Sequence, residues 1–232
     1  MRTQSGFTLI ELTIVLAVIA LLAGTIVIAQ DMIHKSKVQN DIIQFTMFDS
    51  AVANFKDKYS SFPGDMVNAT SYFSHASLAN GDGDSILENA DGNTTYAGGN
   101  YGGEYAQFWL HLSESGFVDQ QFDASNNVGE GFPQLNVNEE IILATAVMPL
   151  FAYNMRYGKP NLLPDMNAAD GARTFPPPLA QDFDLKLDDG IPSTGRFRAN
   201  AETSNQCNDG TNYTISNTDQ YCRPYYVMGT QP

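Results

Sequence analysis

Gly6-Phe7-Thr8-Leu9-Ile10-Glu11 opens an apolar run that continues almost unbroken to Ala29, and the reading of this stretch decides the fold. From Phe7 to Ala29 there are 23 residues, enough to span a bilayer as one helix. One acid, Glu11, sits near the start. A carboxylate in hydrocarbon costs about 2.5–3.5 kcal/mol even on lenient insertion scales, so something should compensate it. A cut after Gly6 would place a new α-amino group on Phe7, four residues from Glu11. An ordinary secretory signal does not fit, because its apolar core is 7–15 residues long and its cleavage site lies beyond that core. A plain membrane anchor accounts for the length of the run but not for Glu11. A buried core helix accounts for neither the uniform hydrophobicity nor the position.

After Ala29 the composition changes but the helical period does not. Val38, Ile42, Phe45, Phe48, Val52, Phe55 and Tyr59 recur at steps of three and four, the apolar stripe of an amphipathic helix. Lys35, Lys37, Asp41, Asp49, Lys56 and Asp57 are expected on its other faces. No Gly or Pro interrupts Thr25 to Phe62, so one helix of about 80 Å should run from Phe7 to Tyr59 and end at Pro63-Gly64.

The leader, the cut site and Glu11 closely resemble the type IV prepilins. The resemblance covers about the first 60 residues firmly. It implies that a prepilin peptidase/methyltransferase cleaves between Gly6 and Phe7 and methylates Phe7. It also implies that Glu11 pairs with the N-terminus of a neighbouring subunit during assembly. Many major pilins carry a proline near the position of Ile28; here none precedes Pro63.

The formal net charge of −14 is unevenly placed. Residues 1–59 hold five basic and five acidic groups, whereas residues 60–232 hold seven and twenty-one. An acidic head on a neutral stem excludes the basic footprint that nucleic-acid binding needs. The expected organisation is a leader at 1–6, a transmembrane or filament-core helix at 7–29, its amphipathic continuation at 30–62, and a loop-rich periplasmic or extracellular head at 63–232.

Within the head, residues 77–103 are rich in Asn, Gly, Asp and Thr and are expected to run over the surface. Glu104 to Ser115 reads as a short helix with Tyr105, Phe108, Trp109 and Leu112 on one side and Gly116 as its stop. Glu139 to Tyr157 is apolar and broken by Pro149, which predicts a helix over its first half. Pro176 to Asp188 reads as a helix ending near Gly190. Segments 195–201 and 223–229 alternate as strands. The fold class is α+β: a long N-terminal helix packed on a small antiparallel sheet with long loops, in the manner of type IV pilins.

Cys207 and Cys222 flank a polar loop. In a domain exported to the periplasm a disulfide is the default, and resemblance to pilins with C-terminal disulfide loops agrees. A metal pair is the alternative, but no histidine lies nearby to complete it.

Two acidic groups are candidate cation sites. Asn80, Asp82, Asp84, Ile86 (through its carbonyl), Glu88 and Asp91 match the oxygen spacing of an EF-hand-type calcium loop. Ser85 stands where such a loop wants glycine, and Asp91 where it wants glutamate. A polar loop with ordinary Asx turns is the plain alternative. The second group is Asp182, Asp184, Asp188 and Asp189, with Asp184 and Asp188 expected on one helical face and Lys186 or Arg196 to offset them. A solvated helix end is the plain alternative there. His34, His75 and His111 have no metal-ligand spacing, and no nucleophile motif or phosphate loop occurs, so no enzyme is expected. His111 reads as a packed core or boundary residue.

These readings converge on a pilin-like structural subunit of a type IV pilus or type II secretion pseudopilus. Its expected location is the bacterial inner membrane with the head in the periplasm, or a filament once assembled. Its partners would be identical or related subunits, the prepilin peptidase and the membrane, and calcium its cofactor. The alternative is a membrane-tethered, calcium-dependent adhesin or binding module that forms no filament.

Overall fold

The computed structural model describes residues 8–88, 103–125, 130–137, 141–146, 153–158, 176–199, 207–216, 222 and 224–228. The long helix, α1, spans Leu9–Tyr59 without interruption, through Gly24 and Ile28 alike. Its 51 residues correspond to a rod of about 75 Å. From Thr8 to Lys37 every residue is exposed, and from Val38 onward one face is buried. The expected stripe is that face: Val38, Ile42, Phe45, Phe48, Val52 and Phe55 are buried, joined by Ala51, with Tyr59 half-buried at the end. The helix stops before Pro63-Gly64, because Ser60 turns left-handed (φ 55°) and caps it by donating its N–H to the Lys56 carbonyl at 2.8 Å. Serine yields a helix readily, since its side chain competes for backbone groups.

Asp41 departs from expectation. It is 0 % exposed and lies at the joint between stem and head rather than on a solvent face. Its carboxyl accepts the Asn136 N–H at 2.7 Å, the Asn136 side-chain amide at 2.7 Å and the Val137 N–H at 3.0 Å. Burial pushes its pKa up while these donors pull the other way. Asp49 is also engaged, pairing with Arg196 at 2.7 Å.

Beyond the stem lie a 3-10 turn at Ala69–Ser71, helices α2 (Glu104–Glu114) and α3 (Pro177–Leu187), and four strands. The strands are β1 (Ile141–Ala146), β2 (Tyr153–Gly158), β3 (Phe197–Ala199) and β4 (Pro224–Met228), in the spatial order β1-β2-β4-β3. All neighbours are antiparallel, with Ala146 opposite Tyr153, Tyr153 opposite Met228 and Phe197 opposite Tyr226. In β4 the residues Pro224, Tyr226 and Met228 face the core in strict alternation. The arrangement is the expected α+β one, and α2, α3, β3 and β4 fall where the sequence places them.

The helix expected in the first half of 139–157 does not form; that stretch contributes a hairpin, β1 and β2. A run apolar on all sides has no period to tell helix from strand. Ile141, Ile142 and Thr145 are β-branched and favour the sheet, where β4 supplies the partner strand. Pro149 lies outside the described residues. Helix α2 also departs from its one-sided reading, since every residue from Glu104 to Ser113 is buried. Trp109 packs against Phe48 of α1 and against Phe108 and Phe122, with ring centroids 4.8, 5.0 and 5.7 Å away. The Cys207–Cys222 disulfide is formed and buried. Its loop is braced on the fold by Asn208, whose amide donates to the Ala199 carbonyl at 2.6 Å, and by Tyr213, whose hydroxyl donates to Asp184 at 2.7 Å.

Candidate functional site

At the head of α1, Thr8 is the N-cap, in extended backbone (φ −79°, ψ 152°). Its hydroxyl oxygen accepts the Glu11 N–H at 3.3 Å. In return, Glu11 Oε2 accepts both the Thr8 N–H and the Thr8 hydroxyl at 2.8 Å. This is a reciprocal capping box, closed by a threonine and the acid three residues on. The residues that follow are bare and apolar, and α1 is the helix among the described residues long and apolar enough to cross a membrane. Gly6 and Phe7 lie outside the described residues.

The second region lies where the chain leaves α1. Residues 77–88 do not simply run over the surface: Leu87 is wholly buried in the core. A Cβ on Gly81 would overlap the backbone of Gly64 and Asp65, so this close approach requires glycine. A loop so placed needs partners for its backbone polar groups, and buried side chains supply them. Asp65 accepts the N–H groups of Gly83 and Ser85 at 2.8 and 3.1 Å. Glu104 accepts those of Asp82 and Glu88 at 2.9 and 3.2 Å. Gln107 accepts the Ala79 N–H and donates to the Ser77 carbonyl, at 2.9 and 2.8 Å. His111 Nδ1 accepts the Gly64 N–H at 2.9 Å, which leaves Nε2 to donate to the Ala79 carbonyl at 3.0 Å.

Glu104, Gln107 and His111 thus form a polar stripe on buried α2 at steps of three and four. Sequence reasoning missed their role and that of Asp65. The i, i+3, i+7 spacing was the available signal, masked by the stronger apolar signal of the same helix. His111 is the packed core residue it was expected to be.

Asp65, Asp82 and Asp84 bring carboxylate oxygens within 4.8 Å of one another. Burial raises the pKa of Asp65 to about 6, and the negative Asp84 and Asp82 add to the rise. Burial likewise raises Glu104 to about 7, with Asp65 and Asp82 adding. The EF-hand-type spacing is only partly drawn together. Asn80 turns aside to accept the Thr70 N–H at 2.9 Å. Asp82 and Asp84 close Asx turns onto the N–H groups of Asp84 and Ile86, at 3.1 and 2.7 Å. Ser85 adopts the left-handed backbone (φ 71°) that glycine favours in such a loop. Asp91 lies outside the described residues. The donor set is all carboxylate oxygen, which suits a hard divalent cation of the calcium type.

In the third region Asp184, Asp188 and Asp189 come together at the end of α3, without Asp182. The expected sharing of a helical face by Asp184 and Asp188 does not occur, because the helix ends at Leu187 and Asp188 caps it in non-helical backbone (φ −153°, ψ −127°). Charge is offset chiefly by donors other than Lys186. Asp184 accepts from Tyr213 and from the Gly190 N–H at 3.1 Å. Asp188 accepts from the backbone of Arg196 and Phe197. Asp189 accepts from the Thr194 hydroxyl at 2.6 Å and the Ile191 N–H at 2.8 Å. Burial holds Asp184 up at about 6, and its hydroxyl bond pushes Tyr213 higher still than burial alone. The Arg196 side chain reaches across to Asp49 on α1 and lies over the Tyr226 ring at 4.8 Å.

Residues 1–27 match the family model of the prokaryotic N-terminal methylation motif. No curated protein and no solved structure matches the chain. The matched segment and the long apolar helix it begins support a prepilin-type N-terminus, and the α+β arrangement behind them is pilin-like. The motif indicates a structural subunit rather than an enzyme.

Proposed function

We propose that the chain is a pilin-like filament subunit. It is held in the inner membrane with its head in the periplasm, cleaved between Gly6 and Phe7 by a prepilin peptidase that methylates Phe7, and assembled with identical or related subunits. The filament is a type IV pilus or a type II secretion pseudopilus. The observation that carries this reading is α1 itself: one unbroken helix, bare and apolar to residue 29, then packed into a head from Val38 onward. Such a half-helix is at home in lipid, and a bundle of like helices replaces lipid with similar apolar contacts. Glu11 then sets the register, because an unpaired carboxylate in that setting is penalised. Glu11→Leu should insert in the membrane as well as the native chain but enter filaments poorly. Recovery of Glu11→Leu in sheared filaments at native levels would refute the pairing.

The two carboxylate clusters favour a further element, calcium binding by the head, which the tethered-adhesin reading shares. Asp65, Asp82 and Asp84 would hold the ion in one cluster and Asp184, Asp188 and Asp189 in the other. An ion there would neutralise carboxylates that burial and mutual repulsion disfavour. Calcium should raise the melting temperature over that in chelator, and Asp82→Ala/Asp84→Ala should reduce the gain. Identical melting of the native chain in calcium and in chelator would leave both clusters as loop braces.

A further inference from the structure

Where α1 leaves its apolar run, the two sides of the helix turn polar at different heights. On the side of the buried stripe, Val27, Asp31, His34 and Val38 follow one another at steps of four, three and four, so the apolar surface there ends at Val27. Gln30 lies beside that line. On the opposite side Leu21, Thr25, Ile28 and Met32 follow at the same steps, with Ile33 next to Met32. Thr25 turns its hydroxyl back onto the Leu22 carbonyl at 2.8 Å and so interrupts this side little. Met32 and Ile33 are 66 % and 59 % exposed, so the head does not cover them. Ser36 and Asn40 then end the apolar surface on that side. From Val27 to Ile33 the offset between the two sides is about 9 Å of helix rise.

We propose that Met32 and Ile33 form a lipid-docking face, which rests in the headgroup boundary of a phospholipid bilayer and tilts α1 toward that side. The face is continuous with the apolar run, which identifies its occupant as the bilayer that holds that run. A boundary that leaves Gln30 and Asp31 in water yet covers Ile33 must cross the helix obliquely, because an offset of about 9 Å rivals a helix diameter of about 10 Å. Asp31 and Lys35 pair at 2.8 Å on the wet side. The head hangs on the stripe side, so this lean lifts it away from the bilayer. Charge acts in the same direction: residues 60–232 hold twenty-one acids against seven basic groups, and an anionic membrane surface repels them. The inference rests on the membrane-held reading given above and adds how the stem sits there.

The test is depth-dependent quenching in phosphatidylethanolamine/phosphatidylglycerol vesicles that carry acyl-chain spin-labelled lipid. The full-length chain is labelled with nitrobenzoxadiazole at a single introduced cysteine; Cys207 and Cys222 are buried in their disulfide and do not compete. Gln30→Cys places the probe about 3 Å nearer the span than Met32→Cys does, so an upright stem would quench it more. The leaning stem reverses that order, and the probe of Met32→Cys should be quenched about twofold more than that of Gln30→Cys. Ile33→Cys should follow Met32→Cys. Circular dichroism checks that each labelled chain is equally helical. Equal quenching at 30 and 32, or stronger quenching at 30, overturns the proposal. So does quenching at 32 that falls as the protein-to-lipid ratio rises, since a second copy would then hold the face. A probe in Ile19→Cys, within the span, that escapes quenching would instead sink the membrane-held reading.

Discussion

His111 shows how one side chain sets the geometry of a region. Fully buried, it joins the turn after α1, at Gly64, to the acidic loop, at Ala79. Burial lowers its pKa to about 4 from an ordinary 6.5. The unfolded chain therefore takes up a proton that the fold refuses as pH drops from about 6.5 to about 4. The stability that neutral His111 contributes is complete above that window and lost through it. His111→Phe orphans the Gly64 N–H and the Ala79 carbonyl and should cost about 2–4 kcal/mol at pH 7. At pH 4.5 the deficit should shrink by about 2 kcal/mol, because the native chain has lost its advantage. Denaturant unfolding of both proteins at the two pH values checks this; a deficit that stays constant would mean that His111 is not held neutral. The sequence reading placed His111 in the core, but no pattern in it could show which backbone groups it satisfies. That depends on a contact between positions 64 and 111, and local spacing carries no information about it.

Among the elements, α1 was the most legible, because its stripe obeys the helical period and its first half is almost unbrokenly apolar. The error on it was Asp41, and it follows from treating every charge as solvent-facing. A carboxylate can enter an interface when donors converge on it, and three do so from Asn136 and Val137. The contact fastens the stem to the head some ninety residues away in sequence. Asp41→Ala leaves those donors buried without a partner and should destabilise the full chain by about 2–4 kcal/mol in denaturant unfolding. Asp41→Asn keeps an acceptor and should cost less. Equal losses for the two variants, or none, would mean that water replaces the carboxyl at the joint. The hairpin of β1 and β2 was illegible for a different reason. An all-apolar run fits a buried helix and a buried strand equally, and only the neighbouring β4 decides between them. Helices α2 and α3 were found because glycine and proline punctuate them, the former stopping at Gly116 in left-handed backbone (φ 73°).

At the scale of the whole molecule, the sequence shows a helix long and apolar enough to cross a membrane and says much less about what the head meets. The stem is written in hydrophobicity, which is read residue by residue. The head is held by long-range polar contacts, among them Asp49 with Arg196, Tyr213 with Asp184 and Glu104 with the loop above it. Those contacts turn the acidic loops, which read as surface segments with candidate cation sites, into structured parts of the fold. They also gather the carboxylates into two tight groups at opposite ends of the sequence order, Asp65 with the 82–84 turn and Asp184 with the turn after α3. The disulfide and the paired strands lie around the second group, so the C-terminal region is cross-braced as its cysteines led one to expect. The central claim, however, concerns the first eleven residues, where a subunit destined for a filament and a plain tether part company. N-terminal mass spectrometry of the mature protein from its native membrane tests it most directly. The account predicts a chain that begins with N-methylated Phe7; a mature chain that still begins at Met1 would contradict it.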